Sequence, residues 1–389
     1  VDWQRFYNRS DRKLTLPNYP WRYQRCWTEP LVTGADGQRY HPLVHRRIDN
    51  ASQSIIFEST LSAQSPAYLD DHRVFGSVVF PASAFFEMAM VVARSIFAQN
   101  EVALTNVSIG RALVLTETPA TVQMIATPNA DRFDFDISSR AAESGDWISH
   151  TKGTLERRLP SPAASIDIAA TIESYSESVD IAGLSARFEA RGLEYFPRFR
   201  AIEEIHKPAG STGSAFARIE LPADANLPGD SYRLHPVITD ASFRIAEAMF
   251  AEEEPEQIHL PFGISGFSCE QAASGAVWVK ASGRQHDQTR VVNLELFNEA
   301  GERIATVEDL TLRSVPVFSL QRAMTKPRAT KDVLADWLYH FDWQPEDAVD
   351  ATAVTGKAQF LILADTGGVA DQLVSRLHAH GHRVRPSIL

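Results

Sequence analysis

The sequence predicts an α+β protein built from a duplicated unit, in which one long buried helix is wrapped by a curved antiparallel β-sheet. Two stretches, at about residues 81–98 and 238–250, are apolar around most of a helical circumference, which is typical of enclosed helices. Each lies among short runs of β-forming residues separated by Gly, Asn, Asp and Pro. A Pro/Ala/Ser-rich segment at residues 159–164 separates the two sets, so the pattern indicates two similar halves.

The individual elements follow from local patterns. Runs such as residues 54–57, 121–126 and 291–297 predict strands. Pro81 suits the start of the first helix, because its missing N–H costs little there. The first 30 residues are rich in aromatic residues, arginine and proline, and they predict an extended strap lying on another surface.

The pattern changes after residues 318–331. Residues 360–365 form an almost wholly apolar run, followed by glycines and a helical stretch with Leu373, Val374 and Leu377. These features predict the opening of an α/β domain. The pair Gly367-Gly368 is too short for a dinucleotide fingerprint, so nucleotide binding is not predicted.

Composition excludes several classes of function. The 38 basic and 49 acidic residues give a net charge of −11, which argues against nucleic acid as a partner. Cys26 and Cys269 are the only cysteines, so neither a disulfide framework nor a cysteine zinc cluster is available. The charged first residues lack the apolar region of a signal peptide, and no run approaches the roughly 20 apolar residues of a membrane span, so neither feature is expected. We therefore expect a soluble, cytoplasmic protein with no membrane partner. Because the chain begins without Met, we also expect an excised piece of a longer protein.

His72 is the first candidate for chemistry. It comes shortly before the first buried helix and is followed by Gly76 and Pro81. A lone histidine is more often one that is satisfied within a loop. Here, however, a glycine lets the backbone approach a ligand, and free N–H groups at a helix start can hold a carbonyl oxygen. A base beside such donors suits removal of a proton next to a carbonyl.

Asp240 is the second candidate, predicted at the start of the second helix. The helix dipole alone favours an acidic residue there. A carboxylate in an apolar helix is also costly to enclose unless it has hydrogen-bond partners or a catalytic role, and both explanations can hold together. No metal site is predicted, because His378, His380 and His382 alternate around a glycine that suggests a solvated turn.

These residues resemble the dehydratase domains of modular polyketide synthases, a family with a double hot-dog fold. The resemblance covers nearly all of the chain. Further matches are His41-Pro42-Leu43, residues 192–199 and Leu260-Pro261-Phe262. The family's HxxxGxxxxP and HPxxxD motifs are matched by His72, Gly76 and Pro81 and by His235, Pro236 and Asp240.

The resemblance implies a division of the chain into four parts. Residues 1–37 look like the linker that follows an acyltransferase domain. Residues 38–160 would form an N-terminal hot-dog carrying the histidine, and residues 161–320 a C-terminal hot-dog carrying the aspartate. Residues 321–389 look like a linker and the beginning of a ketoreductase structural region.

The resemblance also implies a reaction and its partners. Water would leave a 3-hydroxyacyl chain held as a thioester on the phosphopantetheine arm of an acyl carrier protein. His72 would take the proton at C2, and Asp240 would protonate the departing 3-hydroxyl. No metal or diffusible cofactor is implied. The expected partners are the carrier protein, the neighbouring acyltransferase and ketoreductase domains, and a second copy in a homodimer.

Two positions depart from the family pattern. Arg244 stands where the family usually has Gln or His, one helical turn after Asp240, and an adjacent guanidinium favours an ionised carboxylate over an acid. Tyr195-Phe196-Pro197 replaces Tyr-Gly-Pro, which puts a bulky ring near the expected substrate channel. The alternatives are therefore a double-bond shift, an oxygen-ring closure, or an inactive scaffold and docking domain. A hot-dog thioesterase is disfavoured by the acyltransferase-type linker.

Overall fold

The computed structural model describes residues 41–140, 145–158, 164–225, 232–250, 256–273, 275–325, 359–364 and 369–388. The chain divides into two compact units, Val1–Lys326 and Pro327–Leu389. The predicted N-terminal linker, most of residues 321–358 and the Gly367-Gly368 pair lie outside the described residues.

The strands of the first unit are short to medium in length, and their inward residues alternate with outward ones. In the strand from Ala120 to Asn129, for example, buried side chains recur at every second position over its first seven residues, as a half-buried strand requires. The strands are β1 Arg46–Ile48, β2 Ile55–Leu61, β3 His72–Val74, β4 Ser77–Val78, β5 Val102–Ile109, β6 Ala120–Asn129, β7 Arg132–Arg140, β8 Ile148–Arg157, β9 Glu177–Ser178, β10 Leu193–Tyr195, β11 Ile202–Lys207, β12 Ser214–Ile219, β13 Gln257–Cys269, β14 Val277–His286, β15 Thr289–Phe297 and β16 Arg303–Pro316.

The helices of this unit are few, and two 3₁₀ turns, Ala67–Asp71 and Pro197–Phe199, accompany them. The helices are α1 Ala82–Phe97, α2 Ile168–Ser174, α3 Ile181–Ala190, α4 Pro236–Arg244, α5 Ala246–Met249 and α6 Val317–Thr325.

Within the described residues, thirteen strands form one antiparallel sheet in the order β1-β2-β6-β7-β8-β5-β13-β16-β15-β14-β12-β11-β9. The order β2-β6-β7-β8-β5 in the first half is matched by β12-β14-β15-β16-β13 in the second. In each half the long helix lies in sequence between the first and last strands of that series. β5 pairs with β13 at the centre, with Val107 opposite Ile264. The predicted duplication of a helix and an antiparallel sheet is therefore present in the topology.

Helix α1 agrees closely with its prediction. Pro81 is its N-cap residue, and Ala98 ends the helix in the left-handed region with φ 53°. Eleven of its sixteen residues are buried, so it is enclosed by the sheet as its apolar circumference indicated. Phe86 on α1 meets Phe243 on α4 edge-on, with ring centroids 5.9 Å apart, which joins the two halves through their helices.

The second helix differs from its prediction in two ways. It begins at Pro236 rather than Ile238, because the Nδ1 of His235 accepts the backbone N–H of Val237 at 3.2 Å and caps the helix. It is also interrupted at Ile245, where α4 gives way to the single turn α5. Asp240 is therefore the fifth residue of α4 and lies in its second turn. The helix-dipole explanation for this carboxylate loses its force, because the dipole acts mainly on the first turn.

A carboxylate is enclosed among the apolar residues of α1. Glu87 is only 3% exposed, and its Oε1 lies 3.5 Å from both His41 Nε2 and Arg94 Nη2. The backbone N–H of Arg233, from the segment before α4, donates to the same oxygen at 3.4 Å. Glu87 thus connects the two halves, and the residue patterns of the sequence did not single it out.

The second unit is described from Gln359 to Ile388 with a gap. It forms a β-α-β unit whose two strands are parallel. The elements are strand β17 Gln359–Ala364, helix α7 Val369–Ala379 and strand β18 Arg383–Ile388. This agrees with the predicted α/β opening. Gly381 follows α7 with φ 79°, so the alternating histidines lie at a helix end. Among the residues described in either unit, no helix has the length and apolar character needed to cross a membrane.

Candidate active site

His72 opens the short strand β3, and its ring orientation is set by the backbone. Its Nδ1 donates to the carbonyl of Val79 at 2.7 Å, while the Val79 N–H donates to the His72 carbonyl at 3.0 Å. The carbonyl can only accept, so Nδ1 carries the proton and Nε2 presents a lone pair. Burial lowers the pKa of His72, and the nearby Asp240 carboxylate offsets only part of that effect. The imidazole is therefore held neutral, as a base requires.

Asp240 reaches the same place from the second half. Its Oδ1 lies 3.8 Å from His72 Nε2, and both side chains are 11% exposed. This separation is longer than a hydrogen bond, so the two groups face each other without neutralising each other directly. If an acyl chain lay beside them, the base would face one carbon atom and the carboxyl group would face the next.

Arg244 is held against Asp240, one helical turn further along α4. Its Nε lies 3.0 Å from Asp240 Oδ2, at an angle that does not make a hydrogen bond. Its Nη2 donates to the Phe199 carbonyl at 2.6 Å, and its guanidinium lies 4.0 Å from the ring centroid of Tyr195. The two oxygens of Asp240 therefore differ, since one faces the histidine and the other faces a cation.

Aromatic rings cover the pair from the second half. Tyr195 is opposite His72 in the β3–β10 ladder, and its ring centroid lies 5.6 Å from the imidazole. Phe199, fully buried, lies 5.1 Å away. Burial raises the pKa of Tyr195, so its phenol stays protonated.

Phe196 lies at the surface beside the site. Its side chain is 41% exposed, and the guanidinium of Arg73 lies over its ring at 5.7 Å. Pro197 after it begins the 3₁₀ turn that carries Phe199. Within the described residues, the rings in contact with His72 are those of Tyr195 and Phe199 rather than that of Phe196.

Gly76 serves the turn that follows β3. It has φ 73°, next to Phe75 with φ 47°, and a Cβ added to it would meet nothing within 4 Å. The glycine is therefore needed for its backbone angle rather than for close approach. Its N–H donates to Glu194 Oε1 at 3.1 Å, which ties the turn to β10.

His235 and Pro236 support the site indirectly, because they begin the helix that carries Asp240. Burial lowers the pKa of His235 to about 3, so it remains a neutral helix cap. Pro81 likewise precedes α1 as its N-cap. The described residues contain no group of three or more His, Cys, Asp or Glu side chains that could hold a metal ion.

Three residues of the site were not identified from the sequence. Val79 acts through its carbonyl, which any residue type supplies, so no residue pattern marks it. Phe199 lay in a recognised stretch but without an assigned role. Asp71 gave a weak signal as the acidic neighbour of His72, and its carboxylate binds the second half through Arg198.

Two family models match the chain. The model described as "Polyketide synthase dehydratase domain" matches residues 41–140, and that described as "Polyketide synthase dehydratase N-terminal domain" matches residues 163–322. Together they match about two thirds of the chain, and each contains one residue of the facing pair.

Similar proteins and structures agree. The spectinabilin polyketide synthase system protein NorB of Streptomyces orinoci is 27% identical over 91% of this chain, and the mycoketide-CoA synthase of Mycobacterium tuberculosis is 26% identical over 93%. The chain spans only 16% and 8% of their lengths. The dehydratase domains of the CurF and CurK modules of the curacin polyketide synthase have TM-scores of 0.64 and 0.65, each with 28% identity. They cover 71% and 72% of this chain, and 99% of their own chains are matched.

The two family models and the matched curacin dehydratase structures define the class as a polyketide synthase dehydratase domain. The chain belongs to the polyketide synthase dehydratase family. Its fold is the double hot-dog that the motif resemblance implied.

Proposed function

We propose that this domain removes water from a 3-hydroxyacyl thioester to give a 2,3-enoyl thioester. The observation that carries the proposal is the facing of His72 Nε2 and Asp240 Oδ1 at 3.8 Å, one residue from each half. A neutral base and a carboxyl group at this separation suit loss of H from one carbon and OH from the next.

The first proton transfer is assigned to His72. The C2 proton of the substrate moves to Nε2, whose lone pair is exposed because Nδ1 is committed to the Val79 carbonyl. As the C2–H bond breaks, its electron pair becomes the new C2=C3 bond. Burial keeps the imidazole neutral before this step and so supplies the base form.

The second transfer is assigned to Asp240 in its protonated form. Its Oδ1 gives a proton to the 3-hydroxyl, the C3–O bond breaks, and water leaves. The proton now on His72 then returns to Asp240 through a bridging water, since 3.8 Å is too long for direct transfer, and both groups are restored for the next turnover. The description of a similar protein is consistent with this assignment, since CurK dehydratase variants with His replaced by Phe or Asp by Asn are called inactive.

The test is incubation of the protein with both epimers of a 3-hydroxyacyl thioester on a phosphopantetheine carrier, followed by mass spectrometry. We expect one epimer to lose water. His72→Ala and Asp240→Asn should each lower kcat by roughly 10²–10⁴-fold, whereas His286→Ala, at a ring that is 90% exposed, should not. Absence of water loss with plausible acyl chains would exclude dehydration, and an unchanged synthase product with His72→Ala would favour a scaffold role.

Arg244 favours a second candidate function. Its guanidinium 3.0 Å from Asp240 stabilises the ionised carboxylate, which cannot protonate a leaving hydroxyl. His72 alone would then move protons on an enoyl thioester, taking one from C4 and returning it to C2, or would assist closure of an oxygen ring. Incubation of the 2,3-enoyl thioester in deuterated water separates the candidates. Deuterium at C2 with a shifted ultraviolet absorbance supports the double-bond shift, and an unchanged enoyl chain opposes it.

The multidomain character of the relatives supports a proposal about delivery of the acyl chain and assembly of the domain. We propose that the acyl chain arrives on an acyl carrier protein, that acyltransferase and ketoreductase domains are neighbours in the cytoplasmic synthase, and that the domain pairs with a second copy. The short strand β1 is an edge of the sheet within the described residues, which leaves a place for pairing. Light scattering on the purified chain tests the dimer, and a monomer at micromolar concentration would contradict it.

A further inference from the structure

A series of contacts links the segment that carries His72 to the helix that carries Asp240, and it begins at Asp71. Asp71 ends the 3₁₀ turn before β3, is 7% exposed and directly precedes His72. Its carbonyl accepts the N–H of Phe196 at 3.0 Å. Its Oδ2 accepts the N–H of Arg198 at 2.8 Å, and its Oδ1 accepts Arg198 Nη1 at 3.1 Å. One residue of the first half thus makes three hydrogen bonds to the second.

These bonds lie where the regular ladder stops. β3 and β10 are paired over three positions only, and the last pair is His72 opposite Tyr195. Beyond that pair no strand holds the two segments together within the described residues. Asp71 takes over with one backbone bond and two bonds through its carboxylate, and bonds of this kind to an ionised group are stronger than neutral ones.

From Arg198 the series of contacts continues to Asp240. Arg198 lies in the same 3₁₀ turn as Phe199, whose ring is 5.1 Å from His72. The Phe199 carbonyl accepts Nη2 of Arg244 at 2.6 Å, and Arg244 is paired with Asp240. The Asp71–Arg198 contact is therefore linked, through this turn, to the aromatic cover of the histidine and to Arg244.

We propose that Asp71 is a positioning residue that sets the separation between His72 and Asp240 through Arg198. Asp71 does not touch the reacting atoms, and the inference rests on the proposed dehydration. Misplacement of a reacting group by about 1 Å can cost about 100-fold in rate. Loss of the contact between Asp71 and Arg198, which we call the latch, should therefore lower kcat while leaving substrate binding nearly unchanged.

The experiment compares Asp71→Asn with Asp70→Asn. Asp70 is a matched control, because it is the adjacent residue and its carboxylate also pairs with an arginine, Arg73 at 2.6 Å, that belongs to the same half. We expect Asp71→Asn to lower kcat by about 10- to 100-fold with KM within about twofold. Asp70→Asn should match the wild type. Equal kcat values for the two variants would overturn the proposal, as would a loss that appears in KM alone.

A second readout is independent of turnover. The His72 imidazole is followed by nuclear magnetic resonance and assigned by its loss in His72→Ala. In Asp71→Asn the pKa of His72 should rise towards its ordinary value, because Phe199 no longer covers the ring and water reaches it. An unchanged titration would contradict the latch. If the wild type itself does not dehydrate, the proposed function fails, and the latch is then judged on this titration alone.

A milder variant covers the case in which Asp71→Asn does not fold. Arg198→Met removes the side-chain bond to Asp71, together with the contacts of Arg198 to the exposed Asp224, at a position that is 31% exposed, but it leaves the Arg198 backbone N–H bond to Asp71. We expect it to fold and to show a smaller loss of kcat in the same direction. Full activity in this variant would overturn the assigned role of the Asp71–Arg198 contact.

Discussion

Substitution of Glu87 by Gln should change how the stability of the protein depends on pH. Burial raises the pKa of Glu87 to about 7 from its ordinary 4.5, and the nearby Arg94 offsets only part of that rise. Between these two pH values the folded chain keeps a proton that the unfolded chain has released. The free energy of unfolding therefore falls as pH rises through this window.

The size of the effect follows from the pKa difference. One proton contributes about 1.4 kcal/mol per pH unit, so the shift of Glu87 corresponds to about 3 kcal/mol lost by pH 7 to 8. Gln has the shape of the neutral acid and does not ionise. Relative to the wild type, Glu87→Gln should therefore gain about 3 kcal/mol of stability between about pH 4 and about pH 8.

Urea unfolding followed by circular dichroism at several pH values measures this difference. Glu58→Gln is the matched control, because hydrogen bonds from Gln123 and Arg46 outweigh burial and lower the pKa of Glu58. Above about pH 6 that carboxylate is ionised in both states, so its variant should there differ from the wild type by a constant amount. A constant difference for Glu87→Gln as well would refute the reasoning.

Three further outcomes are expected. A pH–rate profile should show that the kcat/KM of dehydration does not fall at pH 6.5, the ordinary pKa of histidine. It should fall only at lower pH, as His72 becomes protonated at its lowered pKa. Gly192→Ala should lower the free energy of unfolding by about 2–4 kcal/mol in urea titrations, because Gly192 has φ 78° and its Cβ would meet the Phe75 ring. Phe86→Ala should cost about 3–5 kcal/mol in the same assay, since it empties the contact between α1 and α4, and a loss under 1 kcal/mol would contradict that packing.

Much of the fold could be predicted because its signals are local. The apolar circumference of residues 81–98 reflects a helix enclosed on most sides, and α1 runs from Ala82 to Phe97. The spacing of His72, Gly76 and Pro81 reflects a strand, a turn at positive φ and a helix start in direct succession. Such patterns depend on the residues nearby, so a single sequence contains them.

The contacts of the site that join distant segments of the chain could not be predicted from the sequence. The sequence placed Arg244 on the same helix face as Asp240, since both belong to one helix, and the structure gives their 3.0 Å separation. It did not reveal that the Phe199 carbonyl holds the guanidinium or that Asp71 binds Arg198, because these contacts join segments far apart in the chain.

What the sequence by itself determined is the set of elements, the family motifs and the two residues suited to acid and base chemistry. The tertiary structure decided that His72 and Asp240 face each other, that Phe196 is exposed and that Asp240 lies in the second turn of its helix. The physical reason is that periodicity and turn preference act over a few residues. The separation of two side chains from different halves depends instead on long-range contacts, namely the β5–β13 junction, the packing of the two helices and the contact between Asp71 and Arg198.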